Sequence, residues 1–209
     1  MRVYIGQTRS RKLIKSLTHF GFGEMTVREE VPPRRRPWAF DNGAYKDWTA
    51  RTPFNEVKFL RAVEQARDAD FIVVPDVVAG GLKSLEFSEA WFPRLHGYTR
   101  YLALQDGMLP KHIAPVVQKY DGLFLGGTLP WKLATLQQWR NVTRKWGKPL
   151  HVGRVGTRRR ALRCRAVGVD SIDSCLPLWS TGNLVDFLEG VYGPLEEVQG
   201  VGDLPDDSG

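Results

Sequence analysis

At 209 residues, with 42% hydrophobic and 25% charged residues, the chain has the size and make-up of a globular protein with one sizeable core. No apolar run approaches the roughly 18 to 20 residues that cross a bilayer, and the start, MRVYIGQTRSRKL, lacks the apolar stretch and cleavage site of a secretory signal. Cys164 and Cys175 are the only cysteines and, with the four histidines, show no metal-ligand spacing, so a reducing, cytoplasmic setting without zinc, membrane or redox cofactor is expected.

The chain opens with a strand pattern over 2–6 (RVYIG) and a helical one over 10–20, with Leu13, Ile14 and Leu17 on one face. GFGEMTVREEVPPRRRP is punctuated by Gly and Pro and hides at most a short strand near 25–27. Beyond it the pattern turns regular. Short apolar runs at 38–40, 71–75, 101–104, 122–125, 150–152 and 171–172 alternate with helix-period segments at 53–67, 84–95, 110–119, 130–145 and 157–167, and a last one at 181–191. Pro53, Pro110 and Pro130 stand where helices begin. Such alternation predicts parallel βα units. Seven are countable and an eighth is open, so the fold class is α/β: a (β/α)8-type barrel over 1–193, complete or reduced. An open doubly wound sheet ranks second, because GQTRSRK after the first strand is neither a phosphate loop nor a dinucleotide fingerprint. Residues 194–209 form an acidic tail expected to be disordered.

The net charge of +7 is unevenly placed. Residues 196–209 carry five acids and no Lys or Arg, which leaves 18 acids (23 less 5) against 30 basic residues before them. Arg34, Arg35 and Arg36 form one basic cluster, and Arg154, Arg158, Arg159 and Arg160 belong to another. This is the footprint expected of a polyanion partner, most simply nucleic acid. A solvated basic surface is the plainer reading.

The residues just past each strand form an unusual set. Asp41-Asn42-Gly43-Ala44-Tyr45 follows one strand and Asp76 another; Gln105, Gly126-Gly127 and Gly153 follow the next three, and Asp173 the last. In a parallel barrel these share the rim where chemistry is placed. Singly, Asp41 could be a turn residue, Gln105 could satisfy a loop carbonyl, and Asp173 could cap a helix. Together they suit a flat polar heterocycle such as guanine. A carboxylate (Asp76) meets its ring N–H and amino edge, an amide (Gln105) and glycine backbone (Gly126, Gly127) meet its carbonyl, and an aromatic ring (Tyr45) stacks on its face. Asp173 and Asp41 then match the nucleophile and acid/base pair of a retaining glycosyl displacement.

These segments resemble the tRNA-guanine transglycosylases. VGVDSIDSCLP resembles the family's nucleophile segment, which implies Asp173 as nucleophile and Asp170 as structural. FDNGAY is similar to its Asp-Ser-Gly-Gly-Phe-Gln motif, implying Asp41 as general acid/base and Tyr45 as the stacking ring. VVPDVV and LALQDG match the segments carrying the base-reading aspartate and glutamine, here Asp76 and Gln105. FLGGT matches the glycine pair, and HVGRVG resembles the Met-Gly-Val-Gly strand, implying that Val152 flanks the base. The matches run in order from about 38 to 183, two thirds of the chain. The family's zinc module has no counterpart, Lys46 stands at its glutamine, and the arginine after Leu-Pro-Thr is replaced around Leu178-Trp179.

A short chain without that module is most similar to the 7-deazaguanine DNA transglycosylases of bacterial modification clusters and phages. The resemblance implies exchange of guanine in DNA for a 7-deazaguanine base, such as 7-cyano-7-deazaguanine, through a covalent aspartyl-glycosyl intermediate and without a cofactor. A homodimer is left open. Two alternatives stand beside it: the same exchange on tRNA, and a non-catalytic nucleic-acid-binding subunit of such an enzyme.

Overall fold

The structure is a computed structural model, and residues 1–193 are described. The acidic tail of 194–209 lies outside the described residues. Eight strands, β1 (Arg2–Gly6), β2 (Gly23–Val27), β3 (Trp38–Asp41), β4 (Ile72–Val73), β5 (Arg100–Leu104), β6 (Gly122–Leu125), β7 (Leu150–Val152) and β8 (Ser171–Ser174), pair in parallel and in chain order. β8 closes back on β1 through Arg2 to Ile5 against Ser171 to Ser174. The fold is a closed α/β barrel of the (β/α)8 type, and β2 is the eighth strand that the Gly/Pro-punctuated segment left open.

The helices are α1 (Arg11–His19), α2 (Ala44–Thr49), α3 (Glu56–Val63), α4 (Leu82–Trp91), α5 (Pro110–Ile113), α6 (Leu129–Trp146), α7 (Arg158–Val167) and α8 (Thr181–Tyr192). Their starts follow local chemistry. Ser10, Thr157 and Ser180 accept the backbone N–H groups of Leu13, Arg160 and Asn183, as N-caps do. The segment expected to be one helix at 110–119 is split, with α5 followed by a 3₁₀ turn at Val117–Lys119. α2 was not anticipated, being only six residues long and hidden behind a turn-like Asp-Asn-Gly.

Strand alternation sorts the side chains into two cores. Inside the barrel, Tyr4, Met25, Ala39, Phe71, Val73, Tyr101, Ala103 and Phe124 fill the lumen, with Phe71 stacked on Tyr101 at 4.0 Å. Glycines make the room: a Cβ at Gly153 would stand 2.5 Å from the Phe124 ring. Outside, Ile5, Phe40, Val74, Leu102, Leu125, Leu150 and Ile172 meet the helices.

One side lacks a helix. Between β2 and β3 the chain returns through 28–37, and the outward residues of β2 are Glu24 and Thr26, both fully buried. Arg35 replaces the missing helix. It is 4% exposed, ion-paired to Glu24 at 3.2 Å without hydrogen-bond alignment, and donates to the carbonyls of Ile5 (2.7 Å) and Gly6 (3.1 Å). Glu24 also accepts the Arg34 backbone N–H at 2.9 Å. The expectation that Arg35 meets a nucleic-acid backbone is therefore corrected, because its charge is spent inside the fold. Its polar partner is also why β2 lacked an apolar signature.

Candidate active site

The carboxyl ends of the strands gather the polar residues, because an inward position at the end of a strand opens on the mouth of the barrel. Asp41, the last residue of β3, continues the inward series from Ala39, and Asp173 continues that of Ser171 in β8. Asp76 and Gln105 follow β4 and β5.

Asp173 tops a buried polar column. His151, 0% exposed on β7, donates from Nε2 to Asp173 Oδ1 at 2.9 Å, and its Nδ1 accepts the Ser171 hydroxyl at 2.9 Å. Burial, opposed by Asp173, lowers the His151 pKa, so the ring is neutral and this tautomer supplies both bonds. Phe124 lies against the ring at 5.0 Å, 14° from parallel. The second oxygen of Asp173 accepts the Arg154 backbone N–H at 3.1 Å. Two rigid donors thus fix the carboxylate. Ser171 lies beneath the histidine at 7% exposure, so the trio is not a serine nucleophile site; the aspartate is the member facing the mouth.

Asp76, 6% exposed, is held by two amides. Asn42 donates to one oxygen at 2.7 Å and Gln105 to the other at 2.5 Å. Asn42 is fixed in turn by the Val74 carbonyl (2.9 Å) and the Ala44 N–H (2.7 Å), and Gln105 accepts the Ala79 N–H at 2.9 Å. Burial pushes the Asp76 carboxyl up to about 6 against these bonds and the charge of Arg154. Each oxygen keeps a lone pair for a ligand donor.

Asp41 is tuned differently. Among the described residues its carboxylate accepts one hydrogen bond, from the Gly43 N–H at 2.8 Å. Burial pushes its carboxyl up to about 7; the Gly43 bond opposes this, while the negative charges of Asp173 and Asp76 add to it. Such a group changes protonation near neutral pH, as an acid/base catalyst must.

Arg154 closes the mouth. Its guanidinium lies 4.0 Å from the centre of the Tyr45 ring and donates to the Gly127 carbonyl at 2.7 Å. The backbone strains to do this: Arg154 has φ +56°, and Ala79, which holds Gln105, has φ +54°. Gly127, at φ +72°, has no room for a Cβ, which would meet Asp106 at 2.5 Å and Trp131 at 2.8 Å. Beside Arg154 is a cavity of about 260 Å³ lined by Tyr45, Trp48, Gly127, Lys132, Arg154 and Arg160, among others. A larger cleft, about 690 Å³ around Arg28, Asp47 and Phe54, lies away from these carboxylates, so size alone does not mark the site.

No family model matches the chain, and no curated protein matches it.

Of the expected site residues, Asp41, Asp76, Gln105, Gly126, Gly127, Tyr45 and Asp173 share this rim. Gly126 lies under Gln105, whose Nε2 is 2.8 Å from where a Cβ would be. Val152 does not line the site. It is 2% exposed and belongs to the outer core, because the inward positions on this strand are His151 and Gly153. The expected contact was off by one residue, which on a strand is the opposite face.

Among the arginines, Arg160 lines the cavity, and Arg158, paired with Glu189 at 3.4 Å, begins α7 beside Arg159 on the same end of the barrel. Arg34 is exposed, whereas Arg36 pairs with Asp68 at the opposite end, just before β3. His151, Asn42 and Lys132 were missed. Counting inward parity back from Gly153 would have found the first. Among the described residues no group of three or more His, Cys, Asp or Glu is placed to hold a metal ion, and no helix is long and apolar enough to cross a membrane.

Proposed function

We propose that the protein is a DNA guanine transglycosylase, exchanging guanine for a 7-deazaguanine base by double displacement. The observation that carries this reading is the pairing of two unlike carboxylates at one barrel mouth: Asp173, gripped by two N–H donors, and Asp41, raised to about 7. The target guanine, flipped from the duplex, presents its N–H edge to Asp76, and its carbonyl to Gln105 and the Gly127 N–H, since the Gly126 N–H is given to the Leu104 carbonyl at 3.1 Å. An Asp173 oxygen attacks C1′ of the deoxyribose. The C1′–N9 bond breaks, its electron pair goes to the base, and Asp41 gives the proton. A glycosyl ester on Asp173 remains. The incoming 7-deazaguanine returns a proton to Asp41 as its N9 attacks C1′, and the C1′–O bond breaks to restore Asp173. Arg154, Arg158, Arg159 and Arg160, on the same end of the barrel, support a phosphate-rich partner.

The test is to trap the intermediate. Protein incubated with guanine-containing DNA, and separately with tRNA, is examined by denaturing gel and mass spectrometry. An adduct on Asp173 with DNA, absent in Asp173→Asn and discharged by 7-cyano-7-deazaguanine, is the expected result. An adduct on tRNA alone moves the chemistry to RNA. No adduct and no exchange on either polymer overturns the enzyme and leaves a binding module.

A further inference from the structure

The cavity beside Arg154 holds an electrostatic imbalance. Lys132 comes from the first turn of α6, Arg154 from the loop after β7 and Arg160 from the first turn of α7, and all three line it. Among the described residues none of the three has a carboxylate within ion-pair distance, although eleven pairs of Lys or Arg with a carboxylate exist elsewhere. Among the described residues no carboxylate lines the cavity, although Asp173 acts at longer range on Lys132, and Asp41 and Asp76 on Arg154. The nearby Asp106 has both oxygens engaged by Thr128, through its N–H at 2.8 Å and its hydroxyl at 2.5 Å.

Lys132 is the most telling of the three. It is 3% exposed, and its ammonium, with three donors, meets one acceptor, the Gly153 carbonyl. A buried ammonium is costly without a counter-charge, and burial accordingly lowers its pKa to about 8. Three cations converging from separate elements on a space of about 260 Å³ call for an anion. Two planar guanidinium forks and an ammonium suit the oxygens of a phosphate.

We infer that this cavity is a phosphate subsite, in which Lys132, Arg154 and Arg160 hold a phosphate of the target nucleotide. The inference rests on the base-exchange reading only for the identity of that nucleotide. The subsite adjoins the nucleophile through Arg154, whose backbone N–H holds Asp173. A phosphate bound here fixes the sugar relative to the attacking oxygen, which is the positioning that displacement needs.

The experiment is a calorimetric titration of the full chain with deoxyguanosine, deoxyguanosine 5′-monophosphate and inorganic phosphate. The monophosphate is expected to bind roughly tenfold or more tightly than the nucleoside, and inorganic phosphate to compete with it. Arg160→Gln, and Lys132→Met where circular dichroism shows it folded, should erase that difference and leave nucleoside binding unchanged. Equal binding of nucleoside and monophosphate by the unaltered protein overturns the subsite, as does an advantage that survives Arg160→Gln and Lys132→Met. The two readings fail separately. Phosphate binding without any Asp173 adduct on DNA or tRNA keeps the subsite and removes base exchange, whereas an adduct without a phosphate advantage does the reverse.

Discussion

Two acids lie buried in this barrel beside basic partners, and they do opposite things. Glu24 and Arg35 sit on the outside of β2, sealed where a helix is missing, and their charges close the wall. Asp173 and His151 sit on the inside of β8 and β7, where a fully buried ring meets a carboxylate that is 9% exposed at an open mouth. Burial and a partner therefore do not distinguish a structural ion pair from the carboxylate proposed to react. The face of the strand and the route to solvent do.

That contrast can be broken from either side. The largest effect is expected from Asp173→Asn, which keeps shape but loses the negative charge of the nucleophile: adduct formation should fall by roughly a thousandfold or more, with the protein still folded although an amide NH2 now faces one of the two N–H donors. Arg35→Met should do the converse. Leaving Glu24 buried without its cation should cost about 3 to 5 kcal/mol, read from a denaturant melt, and any loss of exchange should track the unfolded fraction alone. An activity loss in fully folded Arg35→Met protein would erase the distinction.

His151→Phe falls between them. The ring packing persists while the donor to Asp173 disappears, so exchange should slow by about a hundredfold at saturating DNA with little change in KM. His151→Gln, which can still donate, should recover part of it.

The smallest shifts in stability concern Asp41, although its place in the proposed proton transfers ties it to the pH dependence of the rate. With its carboxyl near 7, exchange should follow a bell-shaped pH profile centred there, since the first step needs it protonated and the second ionised. Its folded pKa lies above the unfolded 3.8, so ionising it opposes folding. That penalty is absent below about pH 4, grows as pH rises to about 7 and is complete above. Asp41→Asn should therefore stabilise the fold more at pH 8 than at pH 5, by thermal melt, while abolishing the bell.

The sequence carried the barrel well where strands are apolar on both faces, as in Leu102 to Leu104 or Leu123 to Leu125, because two covered faces demand an uninterrupted run. It was faint at β2, where the outward Glu24 and Thr26 answer to a distant arginine rather than to a helix. The rim carboxylates were legible because they directly follow strand patterns. Val152 was misplaced and His151 overlooked for one cause: a three-residue strand gives too short an alternation to fix its own parity. Lys132 was invisible, since nothing in a helical pattern says which of its lysines turns inward.

The Arg154 guanidinium covers one face of the Tyr45 ring at 4.0 Å while its N–H groups stay free to donate, as they do to the Gly127 carbonyl at 2.7 Å. On the proposed exchange, a base that stacks on Tyr45 competes with this side chain for that face, so the arginine serves as a placeholder that keeps the slot in shape before a base arrives.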